Sequence, residues 1–227
     1  MADFLWSSVK DNFESPLSLD KDGLELAFKY FSSTTLTMRL TGISQVGTLC
    51  LISFALTNIN FVKKVNTNIS LFNEMCNTES VVEVETVGLQ LAQWILDSKL
   101  VEHIFGPNLH VEVSTKVRST TKLIEYMLIF KKVIKQSHII LNFLAMEGKI
   151  TNSHLDSIWQ SAQLKHCSKQ VHDILPPLIK NLEAGPVLHL YDLVKKLPVK
   201  DHTEQSIYLA QVMESFKAMY KFLNLGI

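Results

Sequence analysis

Signals for the start of a helix recur at an almost constant spacing in the last third of the chain. They lie 16, 18 and 17 residues apart, near Asn152, Ser168, Pro186 and Thr203. After the first of them, apolar side chains follow the helical i, i+3, i+4, i+7 spacing at Leu155, Ile158, Trp159 and Ala162. Each interval therefore holds one helix and a short loop, and a pair of helices takes up about 34 residues.

This regularity predicts an all-α fold in which antiparallel helix pairs stack as a fragment of an armadillo- or HEAT-like α-solenoid. The composition agrees, because the 227 residues include only eight glycines and six prolines. The tetratricopeptide repeat has a similar length, but its Trp-x-x-Leu-Gly-x-x-Tyr pattern is absent. An irregular helical bundle stays open as the alternative, since only two pairs are regular.

The clarity of the pattern divides the chain into two parts. Residues 134–227 form the regular helical-repeat part, and residues 1–133 form a looser N-terminal helical part. In residues 111–132 the periodicity does not decide between helix and strand.

Individual residues set the predicted limits of the helices. Gly148 should end the helix that begins at Ile134. Ser153 and Asp156 form a start signal of the capping-box type, and Pro186 should be the first residue of its helix.

Two adjacent prolines predict a kink. Pro176 and Pro177 interrupt the apolar stripe of the helix that Ser168 caps. Each proline ring conflicts with the carbonyl four residues earlier, so we expect the helix to bend at this point before it reaches Leu182.

One uncharged stretch tests whether the chain enters a membrane. The 23 residues Leu40–Val62 carry no charge, which is long enough to span a bilayer. However, the stretch includes eight polar residues and two glycines, and no aromatic belt flanks it. We therefore predict that it is not a membrane span.

Charge and cysteine content indicate the compartment and the class of partner. The 22 basic residues balance the 22 acidic ones, so the chain lacks the net charge that attracts nucleic acid or anionic membranes. Residues 1–10 lack the apolar segment of a signal peptide. The three cysteines, Cys50, Cys76 and Cys167, are far apart and predict no disulfide framework. We expect a reducing compartment, the cytoplasm with the nucleus as a further location, and protein partners.

The residue patterns of catalysis and ligand binding are absent. None of the eight histidines forms an i, i+4 pair, and no glycine-rich phosphate loop occurs. Cys167 has His166 and His172 nearby in sequence, but a Cys–His nucleophile also needs a third orienting group, and none is indicated. We predict no catalytic, cofactor-binding or metal-binding residue. The aromatic residues on apolar faces should be core residues, namely Trp94, Trp159, Tyr191 and Tyr208.

A family resemblance adds what these patterns do not give. The relevant segments include Ile-Lys-Gln-Ser-His-Ile-Ile-Leu-Asn-Phe-Leu-Ala-Met-Glu-Gly (134–148), Leu-Asp-Ser-Ile-Trp (155–159) and Ala-Gln-Leu-Lys-His-Cys-Ser (162–168). Upstream, Leu-Val-Glu-His-Ile-Phe-Gly-Pro-Asn-Leu-His-Val-Glu-Val (100–113) belongs to the same set. Together they resemble the non-catalytic, armadillo-like helical region of the very large fat-facets type of ubiquitin-specific protease.

This resemblance implies a scaffold or interaction segment of a deubiquitinase. The peptidases of this family carry a cysteine box resembling Gly-Asn-Thr-Cys-Tyr-Met-Asn and a histidine box with His-x-Gly. Gly47-Thr-Leu-Cys50-Leu matches the first box only superficially, because it lacks both asparagines, and His-x-Gly is absent. The chain alone should therefore be inert, while its parent would cleave ubiquitin from proteins. The alternatives left open are an autonomous cysteine hydrolase that uses Cys167 or Cys50, and an unrelated helical adaptor.

Two stretches depart from the family pattern, residues 47–65 and 114–132. If they are insertions, a finished solenoid would accommodate them as loops or as helices at one edge. We then expect the apolar residues of these stretches to be more exposed than those of the regular repeats. The residues to compare are Leu51, Phe54, Leu128 and Phe130 in the two stretches, and Leu141, Ile158, Trp159 and Leu178 in the repeats.

Overall fold

The computed structural model describes residues 19–33, 35–67, 78–106 and 120–224. These residues form nine α-helices and one short 3₁₀ helix (Val199–Asp201), with no strand among them. The helices are α1 (Lys21–Phe31), α2 (Leu36–Thr67), α3 (Thr78–Asp97), α4 (Leu100–Phe105), α5 (Thr120–Met146), α6 (Asn152–Ala162), α7 (Ser168–Ile179), α8 (Ala184–Lys195) and α9 (Glu204–Asn224). The prediction of an all-α fold is confirmed.

The helices pack as successive pairs in two layers. In layer A, α2, α5, α7 and α9 lie side by side in this order. In layer B, α3 and α4, then α6, then α8 follow one another. Contacts of α2 with α3, α4 with α5, α6 with α7 and α8 with α9 join the layers, and α1 packs against α2. This arrangement is the solenoid-like stack that the spacing of helix starts predicts.

Helices α5 and α7, which are neighbours in layer A, run parallel. The Phe130 ring of α5 lies 5.7 Å from the ring of His166, just before α7. Twelve residues further along α5, the Asn142 Oδ1 accepts a hydrogen bond of 3.2 Å from the Asn181 Nδ2, just after α7. Both chains advance in the same direction between these contacts, as expected for equivalent helices of successive repeats.

A single apolar core lies between the layers. Its buried side chains extend along the chain from Leu24 in α1 to Met213 in α9. Where α1 crosses α2, a Cβ atom on Gly42 would lie 2.3 Å from the Ala27 carbonyl oxygen and 2.5 Å from the Phe31 nitrogen. The absence of a side chain at Gly42 therefore permits this close crossing.

The helix limits confirm the predicted end at Gly148 and correct three predicted starts. Ser168 does not cap α7, because the N-cap residue of this helix is Cys167. Gly148 ends α5 with a φ of +64°, and the Lys149 N–H donates to the Leu144 carbonyl at 2.8 Å. The predicted start signal at Ser153 and Asp156 is wrong, because Thr151 caps α6 and His154 completes the capping box. Pro186 is not the first residue of α8, which begins two residues earlier at Ala184.

The prolines of α7 do not interrupt the helix. Pro176 and Pro177 lie inside a helix that ends at Ile179, and the kink expected at them stays a prediction. The helix closes only two residues after the second proline, and few hydrogen bonds remain to be lost beyond it. Leu182, which we expected on the stripe of the same helix, follows in the turn.

The exposure predicted for the two departing stretches is confirmed at three of four positions. Leu51, Phe54 and Leu128 are 51%, 43% and 55% exposed, whereas Leu141, Ile158, Trp159 and Leu178 are buried. The expectation is wrong for Phe130, which is 1% exposed and packs near His166. Residues 47–65 belong to α2 and residues 120–132 to α5, while 114–119 lie outside the described residues. Their status as insertions, and the division at residue 134 within α5, stay predictions.

The contrast between core and surface leucines can be measured with one substitution at two places. We expect Leu178→Ala to lower the free energy of unfolding by about 2–5 kcal/mol, since it removes a buried side chain and leaves a cavity. Leu51→Ala should change it by less than about 0.5 kcal/mol, because this side chain is exposed. Urea unfolding followed by circular dichroism measures both. Equal losses would contradict the placement of Leu51.

Candidate functional site

The two cysteines among the described residues are buried thiols. Cys50 lies in the middle of α2 and Cys167 lies at the N-cap of α7, each with almost no exposed surface. Burial raises the pKa of the Cys50 thiol far above its usual range and raises that of Cys167 to about 11. Since the thiolate is the nucleophilic form, both thiols are protonated and unreactive at neutral pH. Cys76 lies outside the described residues.

Cys167 is part of a buried chain of hydrogen bonds that joins three helices. Its thiol donates to the Ser161 carbonyl at 3.1 Å, near the end of α6. The Ser161 hydroxyl in turn donates to the Phe105 carbonyl at 2.9 Å, at the end of α4. A carbonyl in the last turn of a helix lacks a donor within that helix, so Ser161 supplies one from the next repeat. This chain of bonds gives Cys167 a structural role.

The histidines near Cys167 are also held by packing. The His172 Nδ1 lies 2.8 Å from the Ser168 carbonyl oxygen, which can only accept, so this nitrogen carries the proton and donates. The His172 ring meets Trp159 edge-on, with 5.9 Å between the ring centroids. Burial, and secondarily the nearby Lys131 charge, lower the pKa of His166. The bonds of Cys167 and His172 are directed to backbone carbonyls, and they do not form a Cys–His pair.

Two contacts between histidine and carboxylate link the helices of layer B. The His154 Nε2 lies 3.7 Å from the Glu102 carboxylate, which joins α6 to α4. The His189 Nε2 lies 2.8 Å from the Asp156 carboxylate, which joins α8 to α6. His154 is buried and its Nδ1 accepts the Thr151 N–H at 3.1 Å, so the Nε2 carries the ring proton. Burial lowers the pKa of His154, and the Glu102 charge opposes this shift in part.

The other candidate side chains are distributed without a common site. Among the described residues, no three His, Cys, Asp or Glu side chains stand together as metal ligands. Trp159 is buried, while Trp94 and Tyr191 are half-buried against the core. Tyr208 is exposed on α9, so the prediction that it is a core residue is wrong. That the chain takes no metal or cofactor stays a prediction.

One helical segment is long and apolar enough to cross a membrane by length and composition alone. It is Thr37–Ala55 of α2, the only such segment among the described residues, and 39% of it is buried. Its buried positions include Ile43, Val46 and Cys50, which belong to the core. A core helix of a protein outside the membrane passes the same test, so the prediction against a membrane span stays untested.

The described residues thus define a helical-repeat protein whose visible cysteines are structural. No family model and no solved structure matches the chain. It is 45% identical over 213 residues to ubiquitin carboxyl-terminal hydrolase puf of Drosophila melanogaster. It is also 44% identical over 215 residues to ubiquitin carboxyl-terminal hydrolase 34 of Homo sapiens and of Mus musculus.

Each of these matches covers 94% of the chain but only 4% or 5% of the relative. The chain is therefore related to one short segment of very large ubiquitin carboxyl-terminal hydrolases, and the resemblance found in the sequence is confirmed. The contacts of Ser161 with Phe105 and of His154 with Glu102 gave no sequence signal, because each pair is more than 50 residues apart.

The burial of the thiols can be tested by their reactivity. A Cys76→Ser variant leaves only Cys50 and Cys167. We expect its thiols to react with a chromogenic disulfide at least about a hundredfold more slowly in the native chain than in urea, because reaction requires the packed helices to open. A native thiol that reacts at the rate of the unfolded chain would contradict the burial of these two residues.

The lowered pKa of His154 predicts a pH dependence of stability. As the pH falls below about 6.5, the unfolded chain binds a proton at this residue before the folded chain does, so the free energy of unfolding should decrease until the folded pKa is reached. His154→Gln removes the titration and keeps a side chain suited to the capping box. Urea unfolding at several pH values between 8 and 5 should show a smaller loss for this variant. A loss equal to that of the unmodified chain would contradict the assignment.

Proposed function

We propose that this chain is a non-catalytic scaffold and protein-interaction segment of a large deubiquitinase. The observation that carries the proposal is the match of 94% of the chain to a small part of ubiquitin carboxyl-terminal hydrolases. A peptidase domain would have to lie elsewhere in such a protein, because this chain lacks both the cysteine box and the histidine box.

The packing of the chain supports this division of roles. A nucleophilic cysteine has to be accessible and ionised, but Cys50 and Cys167 are buried and protonated. A stack of helix pairs, by contrast, presents long outer surfaces to partners, and helical repeats are commonly used in this way. The autonomous cysteine hydrolase therefore finds no support in the described residues.

The parent protein would act in ubiquitin-dependent protein turnover and signalling. Within it, this segment would bind substrates that carry ubiquitin, or adaptor proteins, in the cytoplasm and the nucleus. It would bind neither nucleic acid nor membranes, since its net charge is zero.

A ubiquitin probe with a thiol-reactive C-terminus tests whether the isolated chain is inert. We expect no covalent adduct after incubation with ubiquitin-propargylamide, because neither described cysteine presents a thiolate. An active deubiquitinase serves as the positive control, and a Cys76→Ser variant examines the third cysteine. Formation of an adduct that requires one cysteine would overturn the non-catalytic assignment.

A further inference from the structure

Lysines outnumber acidic residues along α5 and α7 of layer A. Six lysines lie on or beside α5 and α7, and we call them the lysine face: Lys131, Lys132, Lys135, Lys165, Lys169 and Lys180. All but the half-buried Lys131 are exposed. Among the described side chains of residues 128–146 and 163–181, Asp173 is the only acidic one. Since the chain as a whole is neutral, the lysine face concentrates positive charge on one surface.

The parallel register of α5 and α7 brings these lysines onto one surface. The contact of Phe130 with His166 sets the middle of α5 beside the start of α7, and the hydrogen bond of Asn142 with Asn181 joins the C-terminal ends of the two helices. Lys131 therefore lies near His166, which follows Lys165 in the chain. None of the six lysines forms an ion pair with a described carboxylate, so their charges remain available to a partner.

An uncharged surface borders the lysine face. On the other side of α5 lies α2, where a Cβ atom on Gly47 would be 3.8 Å from the Ile139 side chain. The described exposed residues of α2 from Thr41 to Ala55 carry no charge, and Leu51 is among them. On α5 itself, Met146 is 44% exposed. The surface of layer A is thus cationic along α5 and α7 and partly apolar toward α2.

We propose that this surface binds an acidic segment of a partner protein, one with carboxylates on one side and apolar residues on the other. Opposite charge attracts the carboxylates to the lysine face, and the Leu51 and Met146 side chains can cover apolar residues of the segment. A nucleic-acid backbone would gain from the lysines but not from the uncharged surface of α2. This inference rests on the proposed interaction role and names the surface that performs it.

Charge reversal on two matched sets of lysines tests the proposal. The test variant is Lys132→Glu, Lys135→Glu and Lys169→Glu, and the control is Lys195→Glu, Lys196→Glu and Lys200→Glu, on α8 and the 3₁₀ helix after it. All six residues are exposed, and both variants change the net charge equally. The probe is a fluorescent helical peptide with glutamates on one face and leucines on the other. Its partner probe has glutamine in place of each glutamate.

We expect the acidic peptide to bind the unmodified chain saturably, and more weakly as salt is added. The test variant should weaken binding at least about tenfold and the control less than about twofold, because only the former removes opposite charge from the contact surface. Leu51→Ala should weaken binding by a smaller factor. The proposal would be overturned if the acidic peptide did not bind, or if both variants weakened its binding equally. It would also be overturned if the glutamine peptide bound equally well, or if duplex DNA or phosphatidylserine vesicles bound more tightly.

Two controls separate this proposal from the preceding one. Circular dichroism and urea unfolding establish that both variants fold, and a Lys132→Gln, Lys135→Gln and Lys169→Gln variant repeats the test without adding negative charge. A ubiquitin adduct on the isolated chain would overturn the non-catalytic assignment whether or not the peptide binds. Loss of the distinction between test and control would overturn only the choice of surface.

Discussion

The lateral packing of layer A holds the structure together. Each of α2, α5 and α7 contacts the next helix of the layer as well as the helix of its own pair. The result is one core that continues from Leu24 to Met213 instead of four separate ones. The long helices α2 and α5 belong to this row, and the glycine at position 42 lets α1 pack closely against α2. A change that separates two neighbours in the row would therefore expose apolar surface on both.

The junctions between repeats satisfy the polar groups that helix ends leave open. Ser161 supplies a donor to the Phe105 carbonyl, and Cys167 supplies one to the Ser161 carbonyl. His154 and Thr151 cap α6 reciprocally, and the same histidine reaches Glu102 of the preceding pair. Buried backbone groups without partners cost free energy, so these bonds make each repeat depend on its predecessor for more than apolar contact.

The sequence predicted the helices well and their ends less well. Periodicity and spacing predicted the last two helix pairs, because each repeat of a solenoid has a similar length and a similar pattern of apolar residues. Thr203 caps the start of α9 and Gly148 ends α5 as expected, since their roles depend on local backbone geometry. His154 at the third position of a capping box has no common precedent, and Phe130 is buried by neighbours distant in sequence. The lysine face could not be predicted from the sequence alone, because it depends on the register of α5 and α7.

The placement of the lysines is separate from the requirements of folding. A stacked helix needs polar residues on its outer side, but acidic, basic and neutral side chains meet this need equally well. Six like charges on α5 and α7 repel one another, so their clustering brings no stability to the folded chain. Helix α2 meets the same need largely with Ser, Thr and Gln, and α9 exposes Glu204 and Glu214. Because layer A is uncharged along α2 and cationic along α5 and α7, the proposed recognition of an acidic segment would depend on the order of the repeats along one continuous surface.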